Sequence, residues 1–357
     1  MRAAVMRNSE IVVDDIAEPV PGPGEVLVKT LGCGICGSDL HALKHTRQFV
    51  DSSPNAMTLD VTRDVVMGHE FCGEVLDYGP DTARRFAPGT RVCSFPVIMR
   101  GGVPMTVGYS NEVPGGYAER MVLMEPMLLA VPNGLSTERA ALTEPMAVGV
   151  HAVNMARPTR DDVVLVIGCG PIGLAVISAL KARNISPVIA ADFSPLRRKL
   201  AAELGADIVI DPAETSPYQS WRELAAASEA GAQLPVNPLT GTPQLKPGLF
   251  FECVGVPGVI DQMLVGAERG CRFVIVGVCM EPDRFRPMLA ITKEINLQFV
   301  LGYTPDEFSH TLEQIASGAL NTEPLITGKV GVGGVANAFR DLGNPDAHAK
   351  IIVEPWR

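Results

Sequence analysis

Long runs of one chemical kind are what this sequence lacks. Its densest basic cluster is Arg197, Arg198 and Lys199, and the formal charge over 357 residues is −10. A chain without a basic face has little electrostatic hold on nucleic acid or an anionic membrane, so a small molecule is the expected partner. The amino-terminal "MRAAVMRNSEIVVDDIAEP" meets a charge every few residues, and no secretory leader is expected. The stretch "VVLVIGCGPIGLAVISAL" (163–180) runs uncharged for eighteen residues, but three glycines and Pro171 interrupt it. A buried strand, a tight turn and a helix account for it better than a membrane span. The eight cysteines are dispersed along a long chain, which argues against a disulfide framework. A soluble, cytoplasmic protein is the expectation.

Internal repeats are missing too, and helical periodicity is scarce in the first 150 residues. What is there is an ordinary globular composition, 46% hydrophobic and 20% charged. The length exceeds what one core usually supports, so two domains are expected. Early segments such as "PGPGEVLVKTLG", "EFCGEVLDYG" and "GTRVCSF" read as strands bounded by Pro/Gly turns. From Ser136 the spacing in "STERAALTEPMAVGVHAVNMA" predicts a helix, although Arg139 three residues on leaves the capping box incomplete.

From residue 161 strands and helices alternate: "VVLVIG", "IGLAVISALKAR", "SPVIAAD", "SPLRRKLAAELG", "DIVI". Strands in which nearly every residue is apolar belong to a parallel sheet covered on both faces. A long polar loop is expected next, including a Pro/Gly-rich excursion at 231–248, before "LFFECVG" and "CRFVIVGV" resume the sheet. "INLQFVLGY" (295–303) is expected to be its last strand. The tail reads as one helix, "PDEFSHTLEQIASG", then loops and a terminal strand "AKIIVEP", with too few apolar residues for a core of its own.

"GCGPIG" places Gly168, Gly170 and Gly173 between one apolar strand and one helix. That context gives the motif its meaning: one glycine for the turn, one for backbone approach to a pyrophosphate, one for helix–strand contact. The helix starting near Pro171 offers free N–H groups to phosphates. Asp192 ends the next strand, nineteen residues after Gly173, where a carboxylate would accept from ribose hydroxyls. Arg197 and Arg198 could hold a 2′-phosphate, but they lie inside the following helix and Asp192 would repel that phosphate. NAD is therefore expected over NADP.

The other dense stretch is "LGCGICGSDLHALKH" (31–45). Its CxxC pair is compatible with a redox pair, a metal site or two core thiols. His69 and Glu70 in "MGHEFCG" and Glu144 in "LTEPMAVGVHA" weigh the choice towards a metal. A thiolate, an imidazole and carboxylates, with one position open to water, form a catalytic zinc set, and a redox pair needs neither histidine nor carboxylate.

In order and spacing, "GICGSDLH", "GHE", "GGYAE", "EP…VGVHA", "GCGPIG", "FECVG" and "VIVGV" resemble the medium-chain dehydrogenase/reductase superfamily. The resemblance covers essentially the whole chain and points to the zinc-dependent alcohol and polyol dehydrogenase branch, among sorbitol- or threonine-dehydrogenase-like members. It implies an α/β protein: a Rossmann-type, doubly wound parallel-sheet domain at 146–302, and a mainly β GroES-like catalytic domain from 1–145 and 303–357. It implies Cys36 and His69 as zinc ligands, with Glu70 and Glu144 as alternates for the third position and Cys33 as a packed neighbour. Ser38 and His41 match the family's proton relay, and Asp39 would orient the His69 ring through a hydrogen bond. Phe95 would line the substrate pocket. The cofactor would meet Gly168, Gly170, Pro171, Ile172, Gly173, Asp192, Arg197, Val254, Val276 and Val278.

The implied activity is NAD-dependent interconversion of a primary or secondary alcohol, a polyol or diol included, and its aldehyde or ketone. A zinc-free quinone or enoyl reductase would not need Cys36, His69 and Glu144 together. A non-catalytic NAD-binding protein would have no use for Ser38 and His41. Two departures stand out. The stretch "TRQFVDSSPNAMTLDVTRD" between Cys36 and His69 exceeds the family's usual length. Relatives often carry four close cysteines for a structural zinc near residues 95–115, whereas here Cys93 stands alone with Glu112, Glu119 and Glu125. One zinc per chain is therefore expected, with that lobe ordered by apolar packing. A homodimer or homotetramer is expected, through pairing of the "INLQFVLGY" edge.

Overall fold

The computed structural model describes residues 1–46, 59, 60, 62–226, 236, 241 and 245–357. Most of the long stretch between Cys36 and His69, and most of the excursion at 231–248, lie outside the described residues. The chain divides into two units, Met1–Ala147 with Tyr303–Arg357, and Val148–Gly302. Among the described residues no helix is long and apolar enough to cross a membrane.

The Val148–Gly302 unit is built on a six-stranded sheet. In spatial order the strands are Ile208–Ile210, Val188–Ala191, Val163–Ile167, Gly248–Glu252, Arg272–Ile275 and Asn296–Phe299. Every pairing is parallel. The order reverses between Val163–Ile167 and Gly248–Glu252, so the loops after these two strands diverge to opposite faces and leave a crevice at their carboxyl ends. The sheet carries an apolar core: Leu165, Ile189, Phe250 and Phe273 are buried, with the Phe250 and Phe273 rings stacked 5.3 Å apart. Such strands gain from burial on both faces, which is why the alternation typical of half-buried strands is missing from their sequence.

The expected polar loop after Ile210 contains a helix, Pro217–Ala226. Its composition is polar, but Pro217, Trp221 and Ala225 recur every fourth residue and form one buried stripe. The Trp221 indole stands edge-on to Phe250 and donates to the Val163 carbonyl at 3.1 Å. Two further helices, Val259–Gly266 and Pro287–Lys293, also escape a reading by periodicity because each is only two turns long.

The first unit is mainly antiparallel. Its sheet runs Ile326–Val330, Lys350–Val353, Glu25–Gly34, Glu70–Tyr78, Arg91–Ser94, Leu128–Ala130, and Arg120–Met124 also pairs with Glu25–Gly34. The expected helix from Ser136 is two, Thr137–Ala141 and Thr143–Ala156, parted at Leu142; the Ser136 hydroxyl caps the first by accepting from Arg139 N–H at 3.3 Å. The tail carries more structure than one helix and one strand: Ile326–Val330 and a helix Val335–Leu342 are added to it. In the cysteine-poor lobe, Val97–Arg100 and Val103–Thr106 form a hairpin. Gly101 and Gly102 both hold positive φ, 58° and 79°, as a two-residue turn of matching twist requires. Ile98, Val107 and Tyr109 are buried beneath it, while Met99 is exposed.

Candidate active site

Strand register assembles the first group. Gly34 pairs with Glu70 on one side and with Ile352 on the other. Cys36 follows the end of the first strand, Glu70 opens the second with His69 just before it, and Lys350 opens the third. A side chain on Gly34 would collide with the Glu70 carboxylate, so the glycine leaves the room that the carboxylate fills. Among the described residues, Cys36, His69 and Glu70 form a group whose ligand atoms all lie within 4.8 Å of one another. One thiol, one imidazole and one carboxylate, two of them buried, are a donor set suited to zinc.

The electrostatics of this group call for a cation. Burial works against a charged His69, yet the facing Asp39 carboxylate and Cys36 thiol outweigh it and push the imidazole pKa well above its usual value. Its Nδ1 is buried without a hydrogen-bond partner and lies 3.6 Å from Asp39 Oδ1. The expected hydrogen bond from the His69 ring to Asp39 is thus an ion-pair approach at 3.6 Å and not a formed bond. Cys33 lies outside the group: it is fully buried, and its sulfur fills space that side chains on Gly68 or Gly116 would occupy.

Beneath the group, Lys350 Nζ lies 2.7 Å from both oxygens of Glu70 and donates to the Ile35 carbonyl at 3.0 Å. Both side chains are shut off from solvent. Burial alone would lower the Lys350 pKa, but Glu70 reverses the effect and holds the ammonium charged. Nothing in "AKIIVEP" marks this lysine, because its partner is 280 residues away.

Helix Gly37–Lys44 carries Ser38, Asp39 and His41. Asp39 Oδ2 accepts from the Cys36 N–H at 3.0 Å and from the Tyr117 hydroxyl at 2.6 Å, and Oδ1 accepts from the Tyr109 hydroxyl at 2.7 Å. Ser38 Oγ lies 2.7 Å from the same Tyr109 hydroxyl. His41 is half-buried, and burial together with the neighbouring His45 and Lys44 lowers its pKa.

Glu144 opens helix Thr143–Ala156 and accepts from the Tyr303 hydroxyl at 2.8 Å. It stands outside the group of three, but its pKa is raised chiefly by burial, with His69 opposing and Glu70 reinforcing that rise. Phe95 stands edge-on to Tyr303 at 5.3 Å, and Tyr303 stacks on Phe308 at 5.5 Å. Tyr303, Tyr109, Tyr117 and Lys350 are the residues that sequence reasoning missed here. Each reaches its partner across a long chain separation that no local pattern records.

In the second unit, Gly168 has φ 89°, and a side chain on it would press on Val254. One on Gly173 would strike the Gly168 carbonyl oxygen. Gly170 caps helix Pro171–Ala182, whose first-turn N–H groups are left for an anion. Asp192 is tied to this turn, its carboxylate accepting from Cys169 N–H at 2.7 Å and Ser194 N–H at 2.8 Å. Arg198 is committed to Asp211 at 2.9 Å and to the carbonyls of Asp192 and Phe193. Arg197 is less occupied: its Nη1 lies 3.9 Å from Asp192, its Nε is buried without a partner, and it leans over Gly170. Ile172 is half-buried in the first turn of the helix. Val254 and Val278 are exposed near the turn while Val276 is buried.

Residues 22–133 match the family model of the alcohol dehydrogenase GroES-like domain, and residues 171–317 match that of a zinc-binding dehydrogenase. The chain is 32% identical to the (R,R)-butanediol dehydrogenase of Bacillus subtilis over 99% of its own length and 100% of that protein's. A crystal structure of 2R,3R-butanediol dehydrogenase from the same organism superposes with a TM-score of 0.80, covering 99% of each chain at 31% identity. Sorbitol dehydrogenase of Bos taurus is 30% identical over 92% of this chain and 90% of its own.

Replacing Lys350 by Met would strand a buried carboxylate. The expected loss of unfolding free energy is about 3–5 kcal/mol, read by urea denaturation, and a Lys350→Met/Glu70→Gln double variant should recover part of it. A single variant as stable as the parent would mean that the pair does not hold the site together.

Proposed function

This chain belongs to the zinc-binding, medium-chain alcohol dehydrogenase family, and from that premise we propose that it interconverts a short vicinal diol and its hydroxyketone, with NAD as the hydride carrier. The observation that carries this reading is the Tyr303–Glu144 hydrogen bond, set among aromatic rings. Cys36, His69 and Glu70 would hold a single zinc ion, which when bound supplies the Lewis acidity that lets an alcohol hydroxyl ionise near neutral pH. Ser38 accepts a hydrogen bond from the reacting hydroxyl, and His41 would be the base that finally takes its proton. NAD, when bound, would supply the hydride acceptor. Glu144 has acceptor capacity beyond its bond to Tyr303 and takes the second hydroxyl of the substrate. Phe95, Tyr303 and Phe308 offer an apolar wall, which suits the methyl flanks of a short diol better than the hydroxyl-lined chain of a hexitol.

The amino-terminal turn at Gly170–Gly173 would hold the pyrophosphate of the cofactor, and Val254, Val276 and Val278 would line its nicotinamide side. Asp192 faces the adenosine ribose and repels a 2′-phosphate. Arg198, held by Asp211, is not free to counter that repulsion, and Arg197 alone stands near the turn. The Cys93 lobe carries no second zinc. Because all eight cysteines are free thiols, a reducing compartment such as the cytoplasm suits the chain.

The Asn296–Phe299 strand ends the second unit's sheet, and Phe299, Leu301, Ile291 and Met288 are exposed at 65, 88, 68 and 66%. An apolar edge of this kind is a pairing surface, and a second copy across a two-fold axis covers it.

Two measurements check this reading. In initial-rate assays, kcat/KM should favour butane-2,3-diol over both ethanol and sorbitol, and NAD over NADP by on the order of a hundredfold. Equal efficiency with sorbitol would remove the aromatic wall from the account, and equal efficiency with NADP would remove Asp192. Light scattering at micromolar concentration should return a dimer or a multiple of it, and charged replacements at Phe299 and Leu301 should shift it to monomer. A monomeric parent would refute the edge pairing.

A further inference from the structure

We infer that Tyr109 is a positioning residue that fixes the Ser38 hydroxyl with its proton turned inward and its lone pairs turned towards the substrate. The inference rests on the alcohol-oxidising reading above and specifies how Ser38 performs its part.

Counting protons gives the direction. Both Asp39 oxygens are used as acceptors, Oδ2 by the Cys36 N–H and the Tyr117 hydroxyl, Oδ1 by the Tyr109 hydroxyl. Tyr109 has one hydroxyl proton, and it lies on Asp39. In the 2.7 Å contact between Tyr109 and Ser38, the proton must therefore come from Ser38. A serine whose proton is held from behind presents only lone pairs in front. An alcohol hydroxyl that meets it has to be the donor, which is the orientation needed to lose a proton. A freely rotating serine would spend part of its time donating to the same oxygen and opposing its ionisation.

The backbone explains how Tyr109 gets there. It follows the hairpin 97–106, its N–H bonded to the Thr106 carbonyl at 3.0 Å. Gly108 has φ 85°, and a side chain on it would meet the backbone of Gly68 at 2.9 Å. The lobe that is poor in cysteine thus lies directly against the residue before His69, and the Tyr109 ring rests 5.1 Å from the His69 ring.

A double-mutant cycle tests the inference with the alcohol on which the parent is most active. Tyr109→Phe should lower kcat tenfold or more while zinc content and the KM for the cofactor stay near parental. In a Ser38→Ala background the same change should have no further effect on kcat, because Tyr109 acts through Ser38. Tyr117→Phe removes a like bond to Asp39 without touching Ser38, and its kcat loss should persist undiminished in that background. Losses at Tyr109 that add to those at Ser38, or a Tyr109→Phe enzyme within twofold of the parent, would overturn the inference. Neutron diffraction of the deuterium-exchanged protein gives a readout free of turnover: the Ser38 deuteron should lie on the line to Tyr109 Oη. A deuteron turned away would overturn the inference even if the enzyme acts on alcohols. A parent inactive on every alcohol, with the deuteron as expected, would sink the functional reading and leave the orientation standing.

Discussion

A buried charge must be answered nearby, and the first unit is organised around that constraint. Asp39, Glu70 and Lys350 are each at most 1% exposed, at the junction of three strand ends and one helix start. Glu70 is answered by Lys350, and Asp39 by two tyrosine hydroxyls and a backbone N–H. An ionised carboxylate left without such partners would be too costly to keep. The surroundings follow from meeting this demand: glycine at 34 to give Glu70 room, tyrosines at 109 and 117, and a register that sets Cys36 and His69 above. His69 Nδ1 stays buried 3.6 Å from Asp39 Oδ1 without a hydrogen-bond partner.

The second unit solves a different problem by simpler means. Its core cluster is apolar, and the glycine-rich turn lies in a loop at the carboxyl ends of the strands, where the strand order reverses. There the glycines do the positioning. Gly173 lets the helix sit against the Gly168 carbonyl, and Asp192 ties the turn to the neighbouring strand through the Cys169 N–H. The turn thus holds its shape through backbone contacts, while Arg197 and Arg198 differ in role because Asp211 engages only one of them.

The sequence was most legible where function is local. The glycines of 168–173 and the Cys36–Ser38–Asp39–His41 run each lie within one turn or one short helix, so a local motif brings them to notice. The alternation of strands and helices after residue 161 was readable because each buried strand is an unbroken apolar run. What escaped was of two kinds. Helix Pro217–Ala226 carries its buried face on only three residues among polar ones, too thin a stripe to stand out from a loop. Lys350, Tyr303 and Tyr109 are ordinary residues in ordinary contexts, given meaning by strand register and chain return. Asp39 was singled out by the family resemblance, but its partners here, two tyrosines and a backbone N–H, were not.

X-ray absorption at the zinc K-edge tests most directly the proposal that Cys36, His69 and Glu70 hold a single zinc ion in one mixed-donor site. On protein freed of loosely bound metal, the account predicts about one zinc per chain with one sulfur at about 2.3 Å and the remaining ligands nitrogen or oxygen at about 2.0–2.2 Å. A first shell averaging two or more sulfurs, or a second zinc that survives Cys36→Ser, would contradict it.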